Sequence, residues 1–240
     1  ILQVRNIDSF VESRRQKTSE KDRKTVQSIL NDVRKNGDSA VKKYERKFNG
    51  RKTSQLRVSE KEIKEAQSKI SRKESEAISF AGRAVPNLIN WIRNWNSRFA
   101  NKKDPRISRS FIPIPSVGCY VPGGQARYPS SVIMSVTPAR KAGVKRIVVV
   151  SPPSRDGKID PLTIAAAKRC GATEIYKVGG AQAIGALAYG TKSIPKVDKI
   201  VGPGGKFVSI AKSFVSDQTA IDMVAGPTEL GIIANASSNP

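Results

Sequence analysis

The order of apolar and turn-forming residues predicts an α/β protein. A helical N-terminal region leads into a mostly parallel sheet covered by helices on both faces. Three observations carry this expectation. From Arg106 onward, short β-branched runs alternate with helical stretches of ten to fifteen residues. Before that point the apolar residues recur only at helical spacing. Several of the later apolar runs end in glycine, as strand-to-helix turns do.

Taken in order, "TSEKDRKTVQSILNDVRKNGD" places Val26, Ile29, Leu30 and Val33 on one helical face. Gly37 is expected to stop that helix, and Asp38 to cap the next, "SAVKKYERKFNG". Ser59 and Glu62 have the spacing of a capping box before "IKEAQSKI". A longer helix is expected from about Arg72 to Asn96, with Pro86 kinking or breaking it. Trp91 and Trp95 are read as a packing stripe on it. "RISRSFIPIP" and "VGCYVPGG" then read as strands. Helices are expected at "YPSSVIMSVTPARKAG", "DPLTIAAAKRCG", "AQAIGALAYG" and "GKFVSIAKSFVS". The strands after them are "RIVVVS", "EIYKVGG", "KIVGPG" and "AIDMVAG". A further apolar run, "ELGIIAN", precedes the end at "ASSNP", and the pattern looks interrupted there. The chain does not begin with Met, which suggests a trimmed or partial chain.

The formal charge is +23 over 240 residues. Residues 1–110 carry 28 Lys/Arg and 13 Asp/Glu, the remainder 15 and 7. Such a surface attracts anions, nucleic acid among them. The cations are interleaved with acids at helical spacing, and no nucleic-acid signature accompanies them, so nucleic acid is not expected as the main partner. No apolar run approaches the length of a membrane span. Cys119 and Cys170 form neither a disulfide framework nor a metal spacing, and a reducing cytoplasm suits them.

Four glycine-bearing turns fall at strand C-termini: "YVPGG", "VGGAQ", "VGPGG" and "AGPTE". Ligands of open α/β sheets bind at such ends, so a crevice is expected there. Neither G-x-G-x-x-G nor a P-loop is present. Tyr120 offers a ring and a hydroxyl. Gln182 either reaches a ribose or nicotinamide amide or merely starts a helix. Thr228 either bonds a substrate or caps its turn. Lys206 either meets a phosphate or is solvated. Asp222, between apolar neighbours in a strand, needs a partner. The chain has no histidine, which removes histidine-based nucleophile systems and histidine zinc sites from these residues. No catalytic base and no metal ligand stand out.

The phrases "GCYVPGGQARYPSSVIMSVTPARKAGVKRIVVVSPP", "VGGAQAIGALAYGTKSIPKVDKIVGPGGKFVSIAK" and "AIDMVAGPTEL", in this order, resemble the histidinol dehydrogenase family. The resemblance implies an NAD-dependent, zinc-containing, homodimeric enzyme of histidine biosynthesis. Such an enzyme takes L-histidinol through L-histidinal to L-histidine. It implies an incomplete Rossmann-like sheet with the start of a second α/β domain. Residues 120–227 would form the Rossmann-like domain. Residues 1–119 would be the helical region and first part of domain one, with 228–240 returning to it. By the same resemblance Tyr120 and Gln182 are cofactor-binding, and Gly205 stands where the family usually has an NAD-contacting asparagine. Thr228 stands where it has a substrate-binding serine. The zinc ligands and the Glu-His proton-transfer pair would lie beyond residue 240. Two alternatives remain at this point: a related dehydrogenase of another small polar alcohol, and a truncated non-catalytic nucleotide-binding paralogue.

Overall fold

The computed structural model describes residues 19–50, 55–99, 112–123, 127–154, 156–224, 235 and 237, with backbone only for 49, 86, 88–89 and 91–99. In chain order the elements are α1 (Glu20–Asn36), α2 (Asp38–Asn49), α3 (Glu60–Lys69), α4 (Arg72–Phe99), β1 (Ser116–Tyr120), α5 (Pro129–Lys141), β2 (Arg146–Ser151), α6 (Pro161–Cys170), β3 (Glu174–Lys177), α7 (Gly180–Tyr189), β4 (Lys199–Val201), α8 (Lys206–Val215) and β5 (Ala220–Ile221). All strand pairings are parallel, in the order β3-β2-β1-β4-β5. The chain turns outward from β1 to β2 and β3, then returns to place β4 on the other side of β1. The sheet therefore has its switch point between β1 and β4.

The two faces of the sheet follow the period of two along each strand. Val117, Cys119, Ile147, Val149 and Ile175 enter one core with α3, α5 and α6. Tyr120, Val148, Val150, Tyr176 and Ile200 enter the other with α1, α2, α7 and α8. Val148, Val149 and Val150 of β2 are all fully buried, as expected of a strand covered on both faces. The N-terminal helices thus divide between the faces. The chain changes face at residues 55–58, which run antiparallel along the outer edge of β3. Val58 N–H donates to Ile175 O at 2.8 Å, and Lys177 N–H to Leu56 O at 2.7 Å. Leu56 belongs to one core and Val58 to the other. The same crossing occupies backbone groups that an edge strand would expose.

Local signals account for most helix ends. Ser19 with Asp22, and Ser59 with Glu62, form capping boxes, and Val26, Ile29, Leu30 and Val33 are the buried face of α1. Asp160 caps α6 by accepting from Thr163 N–H at 2.9 Å, and Pro161 follows it at the first helical position.

Five expectations need correction. Asp38 does not cap α2. Gly37 alone links α1 and α2, with φ 53°, and leaves no room for a separate capping residue. The Asp38 carboxylate instead accepts from Ser193 N–H and Oγ–H at 3.2 and 2.6 Å. Pro86 does not end α4, which continues to Phe99; a proline withdraws one donor, and the turns on either side carry the helix across. Residues 112–115 are not strand, because β1 begins only where β2 and β4 flank it. The glycines of "EIYKVGG" lie beyond β3. Asp222 lies just beyond β5, which has two residues, since β4 offers it only Lys199 and Ile200 as partners. Residues 106–111, the Trp91/Trp95 side chains and "ELGIIAN" lie outside the described residues.

Candidate functional site

The loops after β1, β2, β3 and β4 meet at the C-terminal end of the sheet. Pro152, after β2, is the shared contact. A Cβ built on Gly123 would lie 2.8 Å from Pro152 O, and one on Gly179 would lie 2.4 Å from Pro152 Cβ. Gly202, with φ 110°, brings the β4–α8 loop against β1, since a Cβ there would lie 2.1 Å from Tyr120 O. Glycines at these turns are therefore required by close approach. The structure brings Tyr120, Gln182 and Gly205 to this one end of the molecule. Thr228 and the rest of "AGPTE" lie outside the described residues.

Tyr120 ends β1 and is 5% exposed. Its hydroxyl accepts from Gly180 N–H, the first residue of α7, at 3.1 Å. Burial raises its pKa and the negative Glu45 adds to this, while the Gly180 hydrogen bond opposes. Gln182, 2% exposed, donates from Nε2 to Glu45 Oε1 at 2.8 Å. The same oxygen accepts from Gly179 N–H at 2.9 Å. Part of the N–H array expected for a ligand is thus used inside the protein. The Gln182 Oε1 atom is buried with no hydrogen-bond partner among the described residues. A cavity of about 260 Å³ is lined by Gln182 together with Phe207, Pro152, Ile29 and the Gly179–Gly180 turn.

Glu45 was not singled out in the sequence. It sits in α2 and is fully buried. A signal was available: Glu45 follows Val41 by four residues, on the face that buries Val41 and Tyr44. An acid at a core register asks for donors, and they come from α7, more than 130 residues later.

Gly205 is the N-cap of α8, with φ −68°, ψ 178° and no side-chain cap. A Cβ there would meet nothing within 4 Å. Neither backbone nor packing requires glycine at this position. Lys206 is exposed, and its ammonium pairs with Asp22 of α1 at 2.8 Å. Asp222 is exposed, not buried in a strand, yet it has a buried partner. Lys212, 3% exposed, pairs with it, and Gly202 and Met223 N–H donate to it at 2.9 and 2.8 Å. Partial burial raises the Asp222 pKa, but these bonds outweigh it and leave the group below its ordinary value. Lys212 Nζ also donates to Gly202 O at 3.1 Å, which ties the β4–α8 loop in place.

Against this geometry, residues 12–240 match the family model described as histidinol dehydrogenase. The chain belongs to the histidinol dehydrogenase family. It is 47% identical over 228 residues to the histidinol dehydrogenase of Bacillus licheniformis, covering 92% of this chain and 52% of that protein. It is 47% identical over 220 residues to that of Methanococcus maripaludis, covering 90% and 51%. The crystal structure of histidinol dehydrogenase from Elizabethkingia anophelis superposes with a TM-score of 0.78 at 32% identity, over 93% of this chain and 52% of that one. The chain spans about half the length of the histidinol dehydrogenases it matches. Among the described residues no group of three or more His, Cys, Asp and Glu is placed to hold a metal, and no helix is long and apolar enough to cross a membrane.

Proposed function

We propose that the protein to which this chain belongs oxidises L-histidinol through L-histidinal to L-histidine with NAD, in the cytoplasm and as a homodimer. In this reading the 240 residues are its N-terminal, cofactor-holding portion. The observation that carries it is the orphaned Gln182 Oε1 beside the Tyr120–Gly180 contact, at the C-terminal end of a histidinol dehydrogenase-family sheet.

These residues fit NAD. A buried acceptor without a donor costs roughly 1–3 kcal/mol, which an amide or ribose hydroxyl of the cofactor would recover. Glu45 fixes the Gln182 amide with its oxygen turned away from the carboxylate. Tyr120 holds the start of α7 in register, and the first turns of α7 and α8 lend the positive ends of their dipoles to a diphosphate. NAD, when bound, supplies the hydride acceptor. Gly205 contributes backbone only, so the asparagine contact usual in the family is missing. Thr228 is assigned the substrate hydrogen bond through its hydroxyl. Zinc does not fit the residues present, for the chain has no histidine and no group of Cys, Asp and Glu among the described residues is placed to hold a metal. Its ligands and the proton-transferring Glu-His pair are assigned beyond residue 240.

The test is NADH formation from L-histidinol by the full-length protein, followed at 340 nm. Turnover is expected there and none from the 240 residues alone. Gln182→Leu in the full-length protein is expected to raise KM for NAD about tenfold, on the scale of one lost buried hydrogen bond. A full-length protein that is folded and zinc-loaded yet silent toward histidinol would overturn the reading. Activity on another amino alcohol would move it to a related dehydrogenase.

A further inference from the structure

A second cavity lies away from the cofactor crevice, where α4 packs across the C-terminal ends of α5 and α6. It has a volume of about 530 Å³. Arg83 from α4, Arg140 and Lys141 from α5, and Arg169 from α6 line it, and among the described residues no Asp or Glu does. None of the four has an ion pair among the described residues. Arg169 is anchored by donating to Ser75 O and Ser79 Oγ. The Arg140 stem lies over Gly171, where a Cβ would come within 2.5 Å of Arg140 Cδ. Helix C-termini favour cations and explain part of this charge. Two such ends contribute only about one negative charge against four positive ones. A second observation lies in the same wall. Thr137, 6% exposed, lines the cavity, and its buried hydroxyl has only the neighbouring Cys170 thiol to interact with among the described residues. Ile78 and Cys170 give the cavity an apolar wall.

We propose that this cavity binds a phosphorylated small molecule through its phosphate, held by Arg83, Arg140, Lys141 and Arg169, with the Thr137 hydroxyl donating to it. Guanidinium pairs suit phosphate oxygens geometrically, and the Thr137 donor would satisfy the remaining one. The apolar wall would take the organic part of the ligand.

The experiment is calorimetric titration of the full-length protein with phenyl phosphate and, separately, inorganic phosphate, in 0.15 M KCl and saturating NAD. Saturable binding of one phenyl phosphate per chain is expected, at least fivefold tighter than inorganic phosphate. Arg83→Gln with Arg140→Gln is expected to weaken it at least thirtyfold, and Thr137→Val about fivefold, with melting curves confirming that each variant folds. Lys145→Gln with Lys192→Gln removes the same charge elsewhere and is expected to leave binding unchanged. Equal weakening by both double variants would reduce the effect to the overall positive charge and overturn the proposal. So would the absence of saturation, displacement of the probe by NAD, or equal affinity for the inorganic ion.

Discussion

Gly205 and Glu45 show how differently single residues act at the same site. Gly205 occupies a backbone conformation open to any residue, with space beside it. Gly205→Asn is therefore expected to fold normally, to add a few tenths of a kcal/mol through helix capping, and to tighten NAD several-fold. Calorimetric titration of the full-length protein with NAD checks this, and an unchanged affinity would remove the side-chain contact from the argument. Glu45 has no such freedom. Its carboxylate gathers Gly179 N–H and the Gln182 amide in a site with no solvent access. Glu45→Ala leaves both donors without this acceptor and is expected to cost at least about 2 kcal/mol. Urea denaturation measures the loss, and KM for NAD is expected to rise with it as Gln182 loses its orientation.

Among the elements, the β4–α8–β5 unit is held by one polar clamp. Lys212 in α8 reaches Asp222 past β5 and the Gly202 carbonyl past β4. β4 and β5 have three and two residues, so ladder bonds alone hold them weakly. Lys212→Met leaves Asp222 with its two backbone donors but no cation. A destabilisation of about 1–2 kcal/mol is expected, since Lys212 is buried but the Asp222 carboxylate left behind is exposed. Hydrogen exchange at residues 199–222 should rise more than in β1 and β2. Uniform exchange across the sheet would show that the clamp is not local.

For the whole molecule, acid sensitivity follows from its ion pairs. Lys43 and Asn36 beside Asp32 hold its carboxyl down to about 2. Glu62, Glu174 and Asp222 are also held below their ordinary values, their partners outweighing burial. Folded values lie below unfolded ones, so each pair contributes fully above the unfolded carboxylate range and is lost as pH falls through the folded value. Stability is therefore expected to hold above pH about 5, to decline below about 4, and to keep declining toward 2. Denaturation midpoints across this range test the sign; stability rising on acidification would contradict it. High salt should weaken the exposed pairs, Arg72–Glu76 first, far more than Lys212–Asp222.

Much of this protein was legible along the chain because it depends on neighbours in sequence. The capping boxes at Ser59–Glu62, the face of α1 and the alternation from β1 to β5 are set by residues three to five positions apart. The position of Gln182 at the start of α7 followed from the Val-Gly-Gly turn before it. Folding settled what depends on distant residues. Asp38 turns to Ser193 although it looks like a cap. Glu45 controls Gln182 from another helix. Lys206 is taken by Asp22, and Lys212 rather than any neighbour answers Asp222. The division of the N-terminal helices between the two faces, through the crossing at 55–58, belongs to the same class. Helix and strand patterns arise from local sterics and periodic burial, which short windows contain. The partner of a buried or half-buried charge is whichever group the packed chain brings close, and for Glu45 and Asp38 that group lies more than 130 residues away, beyond any local window.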